Sequence, residues 1–455
     1  MNTLDDVRQE IYNIKFSLNS LSLYRNLLKD PVLIKLSNLV DTILGTRELL
    51  QILNAYNELS FTLLKSNPNI SLSEYIIPKL IFDENPFSCA AEIKPFANIS
   101  ENIKKAAYND LYLLQQISSL SSQAVKSLIY TSYKLSEFER NSIELLPSWD
   151  SSLSTNDNKA SSQVDFIANL ILKSTNWSDA LPKLADFQYQ YGSGIFCNYK
   201  AFVWQHTDEN MCLRGIENPD PITFSDLIGY EEQRSEVINN TLHFLDNFPA
   251  NNVLLYGDRG TGKSSTVKAL LNEYYEAGLR LVEIPKKHLI DFPDVIRLLS
   301  KRKQKFIIFI DDLSFEDSEE SYTALKAVLE GGVESKPNNV IIYATSNRRH
   351  LIREKFSDRA GLTSSNPDDE IRATDTIQEK LSLSDRFGIT IVFSSPDKSK
   401  YLEIVKGLAE KRSLNVDTEF LHREALKWEL WYNGRSPRTA KQFVDWLEGQ
   451  LGKKD

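Results

Sequence analysis

The chain has 455 residues, of which 41% are hydrophobic and 25% are charged, a composition typical of soluble globular proteins. This length exceeds what one hydrophobic core ordinarily supports, so it predicts two or three domains. The formal net charge of -9 argues against a globally basic nucleic-acid-binding protein, although a local basic patch remains compatible with it.

Cysteine usage and the amino terminus bear on the cellular compartment. Cys89, Cys197 and Cys212 lie far apart without C-x-x-C spacing, so they indicate neither a zinc site nor a disulfide framework. The first residues lack the charged-then-apolar profile of a signal peptide, and no apolar run reaches membrane-spanning length. We therefore expect reduced thiols in a cytoplasmic protein with no membrane partner.

The amino-terminal part, residues 1–146, is predicted to be an all-helical domain. Apolar residues recur there at helical spacing, for example Leu18, Leu21, Tyr24, Leu27 and Leu28, and again Leu49, Leu50, Leu53, Tyr56 and Leu63. These stripes are typical of helix-on-helix core packing, and contact with a partner protein is the alternative.

Residues 147–217 are predicted to be a linker and connector. The stretch 147–163 is rich in Ser, Asn and Asp and indicates a flexible linker or exposed loop. A helix is expected at 164–172. The segments 189–196 and 200–205 have the aromatic and β-branched residues of strands or extended chain, and we expect them to rest on the next domain.

Residues 218–396 alternate short β-branched runs with helical segments. Strands are expected at 253–257, 281–284, 306–310, 340–344 and 389–393, and helices at 231–248, 266–271, 295–300 and 376–383. This order predicts an α/β domain with a parallel sheet covered by helices on both faces, and ligands at the carboxyl ends of its strands. Three further helical segments in 397–455 predict a small terminal helical domain.

A phosphate-binding loop, G-x-x-x-x-G-K-[ST], follows the first of these strands and opens a helix. Its backbone NH groups and the helix start would bind phosphate oxygens, so the sequence predicts ATP as the ligand. Lys263 would reach the β and γ phosphates, and Ser264 would ligate Mg²⁺. The residues of the loop are Gly257, Asp258, Arg259, Gly260, Thr261, Gly262, Lys263, Ser264 and Ser265.

An acidic pair, Asp311-Asp312, follows the apolar strand 306–310. Asp311 would hold Mg²⁺ through water, and Asp312 would orient or deprotonate the attacking water. Glu316 is an alternative for the second role. Such a pair taken alone is more often a helix cap or a solvated turn, but its position after a phosphate loop favours the catalytic interpretation.

With these motifs in place, the chain from Pro219 onwards resembles an AAA+ ATPase module. The resemblance implies a P-loop α/β fold with a parallel five-stranded sheet sandwiched by helices and a helical lid at 397–455. It also implies ATP hydrolysis and assembly of several copies into a homo-oligomer. The segment T-F-S-D-L-I-G-Y resembles the family's adenine-pocket segment, with Ile228 and Gly229 as contacts.

Three polar residues match the family's sensing and finger positions. Asn347 matches the residue that positions the attacking water, Arg386 the arginine that reaches the nucleotide of an adjacent subunit, and Arg438 the second sensor. Each has an alternative: a turn residue for Asn347, an exposed ion pair for Arg386, and a local cap for Arg438. Arg435 remains an alternative second sensor.

More narrowly, four motifs resemble a bacterial predicted-ATPase family catalogued as domain of unknown function 815. They are G-D-R-G-T-G-K-S-S, F-I-D-D-L-S-F-E, L-K-A-V-L-E-G-G and G-R-S-P-R-T-A-K-Q-F. This resemblance implies no particular substrate or pathway.

The partner is left open by the sequence. The basic stretch 348–359 could contact nucleic acid, but Glu354 and Asp358 within it favour a solvated helix or subunit contact, and only Phe356 could stack on a base. Three function classes remain. The first is an ATPase that remodels an unidentified protein or nucleoprotein client recruited by the amino-terminal domain. The others are a slow nucleotide-dependent switch or scaffold and, less favoured, a DNA-binding loader.

Overall fold

The computed structural model describes residues 4–45, 48–66, 71–150, 163–206, 211–313, 319–330, 337–347, 386–432 and 434–451. The chain divides into two compact units, Met1–Asn198 and Tyr199–Asp455. Across these described ranges, none of the helices combines the length and the apolar character needed to cross a bilayer.

The described residues of the first unit form helices joined by turns and loops, with no strand. Helices bury one apolar face each, as in α2, where Val32, Leu36 and Leu39 lie at helical spacing and are fully buried. Together these faces form one hydrophobic core that extends from Val7 to Cys197. The helices are α1 Leu4–Ser20, α2 Pro31–Gly45, α3 Leu49–Ser66, α4 Leu72–Phe82, α5 Pro86–Ile93, α6 Glu101–Ser118, α7 Ser122–Ser132, α8 Glu137–Glu144, α9 Gln163–Lys173, α10 Leu181–Tyr191 and α11 Ile195–Asn198.

The buried carboxylate of Asp110, on α6, ties down the chain that follows α1. It accepts hydrogen bonds from the backbone NH groups of Ser22, Leu23 (2.7 Å) and Tyr24 (3.1 Å), and from the Ser22 hydroxyl at 3.0 Å. Its side chain is fully buried. A buried charge is tolerated when donors surround it, so this cluster fixes the exit of α1 against α6.

The region expected to be a linker and connector, 147–217, differs in the structure. Trp149 is buried and donates its indole NH to Leu120 O at 2.8 Å. Residues 151–162 lie outside the described ranges. Helices α9 and α10 belong to the first unit, and only the residues from Tyr199 onwards belong to the second.

The strand expected at 189–196 is wrong, because Tyr189–Tyr191 form the last turn of α10. Phe187, Gln188 and Tyr191 are buried together on one helical face, so packing overrides the strand preference of the aromatic residues. Gly192, at φ 98°, ends the helix.

The second unit is built on one seven-stranded sheet, in the order β2-β1-β4-β5-β6-β3-β7. All neighbouring pairs are parallel except β1 with β2, which is antiparallel. The sheet contains the five expected strands and two more, because 201–206 pairs with β4 instead of resting on the domain as a connector. The strands are β1 Ala201–His206, β2 Met211–Gly215, β3 Val253–Gly257, β4 Leu279–Glu283, β5 Lys305–Ile310, β6 Val340–Ser346 and β7 Ile389–Phe393.

Helices cover this sheet. Every residue of β6 is buried, as a central strand covered on both faces requires. One core joins alternate strand residues such as Ile307 and Phe309 to Val237 and Leu270 of two covering helices. The helices are α12 Glu231–Leu245, α13 Lys263–Tyr274, α14 Phe292–Leu299 and α15 Glu319–Glu330. The helix expected at 376–383 lies outside the described residues.

Three terminal helices, α16 Lys398–Lys411, α17 Thr418–Trp431 and α18 Pro437–Leu451, share a separate hydrophobic core that contains Tyr401 and Phe443. Ile228 and Tyr230 pack against this core, and Tyr230 also packs against the core of the sheet. The α/β fold class with a helical lid and an all-α first unit is therefore confirmed.

The Asp110 cluster generates a stability prediction. Asp110→Ala should lower the free energy of unfolding of the first unit by about 3 kcal/mol, because it leaves buried backbone donors without an acceptor. Urea unfolding measures this change. Asp186→Ala, at an exposed position on α10, is the matched control and should change the free energy by less than about 0.5 kcal/mol. Equal unfolding midpoints for the two variants would contradict the proposed importance of the cluster.

Candidate functional site

The phosphate-loop sequence connects β3 to α13, and glycine geometry sets its course. Gly257 has φ 135°, and a Cβ there would lie 2.1 Å from Phe393 O on β7. Asp258 N donates to the same carbonyl at 3.0 Å, and Asp258 Oδ2 accepts from Ser395 N at 2.7 Å. The hydrogen bonding by Ser395 holds the pKa of Asp258 below its usual value. The loop is thus fastened to the end of β7.

Lys263 lies buried beneath this loop. Its Nζ donates to Gly257 O at 2.9 Å, to Asp258 O at 2.7 Å and to Asn347 Oδ1 at 3.3 Å. Burial lowers the pKa of Lys263, although the charges of Asp258, Asp311 and Asp312 oppose that shift. A phosphate anion in the loop would favour the charged ammonium further, so the position suits an anionic ligand.

Asp311 joins the ends of three strands. Its Oδ1 accepts from Ser264 Oγ and from Thr345 Oγ1, each at 2.6 Å, and Thr345 Oγ1 in turn accepts from Asp312 N at 2.9 Å. A carboxylate and two hydroxyl groups in contact form the hard oxygen donor set that Mg²⁺ prefers. The residues present therefore fit Mg²⁺, and Ser264 and Asp311 are the residues that would hold it.

The Asp312 carboxylate has one donor at each oxygen. Asn347 Nδ2 donates to Oδ1 at 2.6 Å, and Lys286 Nζ lies 3.2 Å from Oδ2. Asp312 is exposed and has a φ of 54°, in the left-handed region, so the backbone leaves the extended course of β5 there. Asn347 thus contacts both the lysine of the loop and the second acid.

The terminal helices approach the loop at the start of α18. Arg438 N donates to Gly260 O at 3.1 Å, and a Cβ on Gly260 would lie 3.0 Å from Arg438 Cβ and Ser436 Oγ. Arg435 instead donates its Nε to Glu429 at 2.7 Å. The structure therefore brings Arg438, and not Arg435, to the loop.

A cavity of about 940 Å³ unites these groups. Ile228, Ile404 and Leu408 line an apolar part of it, beside the ion pair of Asp226 with Lys411. That ion pair and the backbone NH of Thr223 lower the pKa of Asp226 to about 2. The predicted residues that line the cavity are Ile228, Arg259, Gly260, Thr261, Gly262, Lys263, Ser264, Ser265, Asp311, Asp312, Asn347 and Arg438.

Arg386 lies at the amino ends of the parallel strands, opposite the ends that carry the phosphate loop. It precedes the first residue of β7, Ile389, and the neighbouring Gly388 packs against Asn251, just before β3. Because β3 and β7 are parallel, this is the amino edge, one strand length of roughly 16 Å from the loop. The structure does not bring Arg386 to its own cavity.

Gly229, Gly257 and Asp258 are not among the lining residues, and Glu316 and 348–359 lie outside the described residues.

Two contacts escaped prediction from the sequence. Thr345 carries the hydroxyl that links Asp311 to the Asp312 amide, and Lys286 contacts Asp312. The available signal for Thr345 was its place at the polar end of β6, directly after the apolar part of the strand. No sequence signal marks Lys286, because only the folded chain brings the segment after β4 to the end of β5.

This chain is similar to one protein family and to several known proteins. Residues 197–451 match the family described as "Protein of unknown function (DUF815)". A putative 26S proteasome regulatory subunit homolog from Methanocaldococcus jannaschii is 26% identical over 253 residues, covering 49% of this chain and 67% of that protein. A proteasome-activating nucleotidase from Methanococcus maripaludis is 29% identical over 225 residues, covering 46% of this chain and 51% of that protein.

Among solved structures, the Thermotoga maritima RuvB Holliday junction branch migration motor is similar with 17% identity and a TM-score of 0.36, covering 51% of this chain and 66% of that chain. The chain spans about half the length of the nucleotidase that it matches. The family match includes both the phosphate loop and the terminal helices that close over it. The chain therefore belongs to the DUF815 family of proteins of unknown function, within the AAA+ superfamily.

Proposed function

We propose that this protein binds ATP with Mg²⁺ in the 940 Å³ cavity and hydrolyses it. The observation that carries the proposal is the direct contact of Ser264 and Asp311, which joins the end of the phosphate loop to the acid that follows β5. A loop that only binds an anion has no need of that carboxylate, whereas a magnesium-dependent phosphoryl-transfer site does.

The roles of the chain's own groups follow from their positions. The loop amides and Lys263 hold the phosphates, and Arg438, next to Gly260, adds positive charge to the cavity. Bound Mg²⁺ would neutralise charge on the phosphate oxygens. Asp312 orients and deprotonates the attacking water, and Asn347 holds the Asp312 carboxylate in place.

We assign Arg386 to the nucleotide of a neighbouring subunit. It lies at the opposite edge of the sheet from its own loop, so it reaches a phosphate only across an interface between copies of the chain. A guanidinium supplied in this way stabilises charge on the transferred phosphoryl group. The active form is then a homo-oligomer.

The energy of hydrolysis serves a protein client in this proposal. Two relatives are named as a proteasome regulatory subunit homolog and a proteasome-activating nucleotidase, which favours action on proteins over action on nucleic acid. The helical unit Met1–Asn198 lies outside the family match apart from its last residues, and we assign client recruitment to it. Affinity capture with an ATP-trapped Asp312→Asn variant tests this assignment.

Asp312→Asn and Lys263→Ala separate binding from hydrolysis. Lys263→Ala should abolish ATP binding, because the loop loses its buried cation. Asp312→Asn should bind ATP with Mg²⁺ but hydrolyse it at least about 100-fold more slowly, because the base is lost. Equilibrium binding of a fluorescent ATP analogue and phosphate release measure the two properties.

Two exposed positions provide matched controls for these variants. Lys406→Ala on α16 and Asp294→Asn on α14 should leave both binding and turnover unchanged. Wild-type turnover in Asp312→Asn would transfer the base role to another acid, and unchanged ATP binding in Lys263→Ala would refute the site.

Thr345 gives a sharper test of the contact between strands. Thr345→Val removes the hydroxyl that donates to Asp311 and accepts from the Asp312 amide, so we expect kcat to fall by roughly 10-fold with little change in fold. Thr345→Ser keeps the hydroxyl and should retain most of the activity. Equal kcat values for Val and Ser would show that the hydroxyl does not position the acids.

The position of Arg386 can be tested by mixing inactive variants. Arg386→Ala alone should lose roughly 1000-fold in kcat. Mixing it with Lys263→Ala should restore part of the activity, because some interfaces then pair an intact arginine with an intact loop. The control is a mixture of Arg386→Ala with the double variant Arg386→Ala/Lys263→Ala, because the double variant cannot contribute an arginine. Equal activities in the two mixtures would rule out action across the interface.

A further inference from the structure

A second cluster of ligand-type side chains lies at the carboxyl edge of the same sheet. His206 is the last residue of β1, and His288 and Asp291 belong to the 3₁₀ segment Lys286–Asp291 that follows β4. Strands β1 and β4 are parallel neighbours, so their ends meet, although His206 and Asp291 are 85 positions apart in sequence.

The three side chains are close enough to share one ligand. His206 Nε2 lies 2.6 Å from Asp291 Oδ2, and His288 Nδ1 lies 3.7 Å from the same oxygen. The two imidazole rings stack with centroids 4.1 Å apart. One nitrogen or oxygen atom from each of the three residues lies within 4.8 Å of the others.

We infer that His206, His288 and Asp291 form a binding site for a divalent transition metal, with Zn²⁺ as the best match. Zinc accepts two imidazole nitrogens and a carboxylate oxygen at about 2.0–2.2 Å, which sets tetrahedral ligand atoms ~3.4 Å apart. The observed separations of 2.6 and 3.7 Å bracket that value, so small side-chain rotations bring the atoms to it. Two imidazoles among three ligands disfavour Mg²⁺ and Ca²⁺.

The surroundings of the cluster match those of a ligand set with one open position. Trp204, two residues before His206 on β1, donates Nε1 to Asp291 Oδ2 at 2.9 Å and so orients the carboxylate. The side chains of Asp291 and His288 are 7% and 11% exposed, whereas that of His206 is 43% exposed. The exposed side of the cluster, at His206, therefore allows a metal to enter and a water to coordinate it.

The cluster shares no ligand with Cys212 or with the nucleotide cavity. Cys212 on β2 pairs with Gln205, and His206 pairs with Met211, so the thiol and the imidazole project from opposite faces of the sheet. The nucleotide cavity uses Asp311 and Asp312, and none of the three residues of the cluster lines it. The cluster is therefore a separate site, and it does not depend on the function proposed above.

The competing explanation is a structural hydrogen bond between His206 and Asp291 that has no affinity for metal. Titration of the untagged, metal-free full chain with Zn²⁺ distinguishes the two. The inferred site should take up one Zn²⁺ per chain by calorimetry, and Co²⁺ should give the visible absorption of a tetrahedral complex. At free metal about 100-fold above Kd, the Tm should rise by roughly 5–10 °C.

Variants assign the binding to the cluster. His206→Gln and His288→Gln should each weaken Zn²⁺ binding by at least about 100-fold, and glutamine at 206 can still donate a hydrogen bond to Asp291. His243→Gln removes an exposed histidine elsewhere, Cys212→Ser removes the nearest thiol, and Asp311→Asn alters the nucleotide site. All three controls should bind Zn²⁺ like the unaltered chain.

Three results would overturn the inference. They are no uptake of Zn²⁺ by the unaltered chain, equal uptake by His206→Gln, and loss of uptake in Asp311→Asn alone. His206 is half exposed, so its variant folds even if substitution of the buried His288 destabilises the chain.

Discussion

The hydrogen bond between Ser264 and Asp311 is the constraint on which the second unit depends. Ser264 follows β3 and Asp311 follows β5, yet β6 lies between these two strands. Neighbouring strands are about 4.8 Å apart, so the phosphate loop has to turn across the end of β6 to bring the hydroxyl to the acid. Thr345, on β6 itself, fills the gap by donating to the same carboxylate oxygen.

Backbone geometry makes this turn available. Gly257 approaches Phe393 O so closely that no side chain would fit, and the loop is fastened there to β7 before it turns back over β6. On the far side, Leu313 N donates to Thr345 O at 2.6 Å and keeps the chain after the acids on β6. The parallel order of β5, β6, β3 and β7 is thus what gathers hydroxyl, amine and carboxylate groups at one edge.

Much of this arrangement could be predicted from the sequence, because its information is local. The phosphate loop, the acidic pair and the β-branched runs are contiguous in the chain, so periodicity and motif spacing reveal them. The roles assigned to Asp312, Asn347, Arg386 and Arg438 stay predictions, and the structure adds their relative positions. Strand β1 was predicted to be only a connector, because its pairing partner, β4, is distant in sequence. Only that pairing makes β1 part of the sheet. Helix α10 was misjudged for the converse reason, since its aromatic residues favour strands locally, but Phe187 and Tyr191 pack together on one helical face.

The segment Lys286–Asp291 shows why contacts between distant residues matter for mechanism. Its first residue contacts Asp312, and its last residue belongs to the histidine cluster at the end of β1. The segment is short and contains a non-helical residue, His288, so its own hydrogen bonds hold it weakly. A metal bound by His206, His288 and Asp291 would fix its far end to β1. It would thereby restrict Lys286, whose ammonium lies 3.2 Å from the Asp312 carboxylate. The inferred metal site and the proposed hydrolytic site are therefore linked through one six-residue segment of backbone.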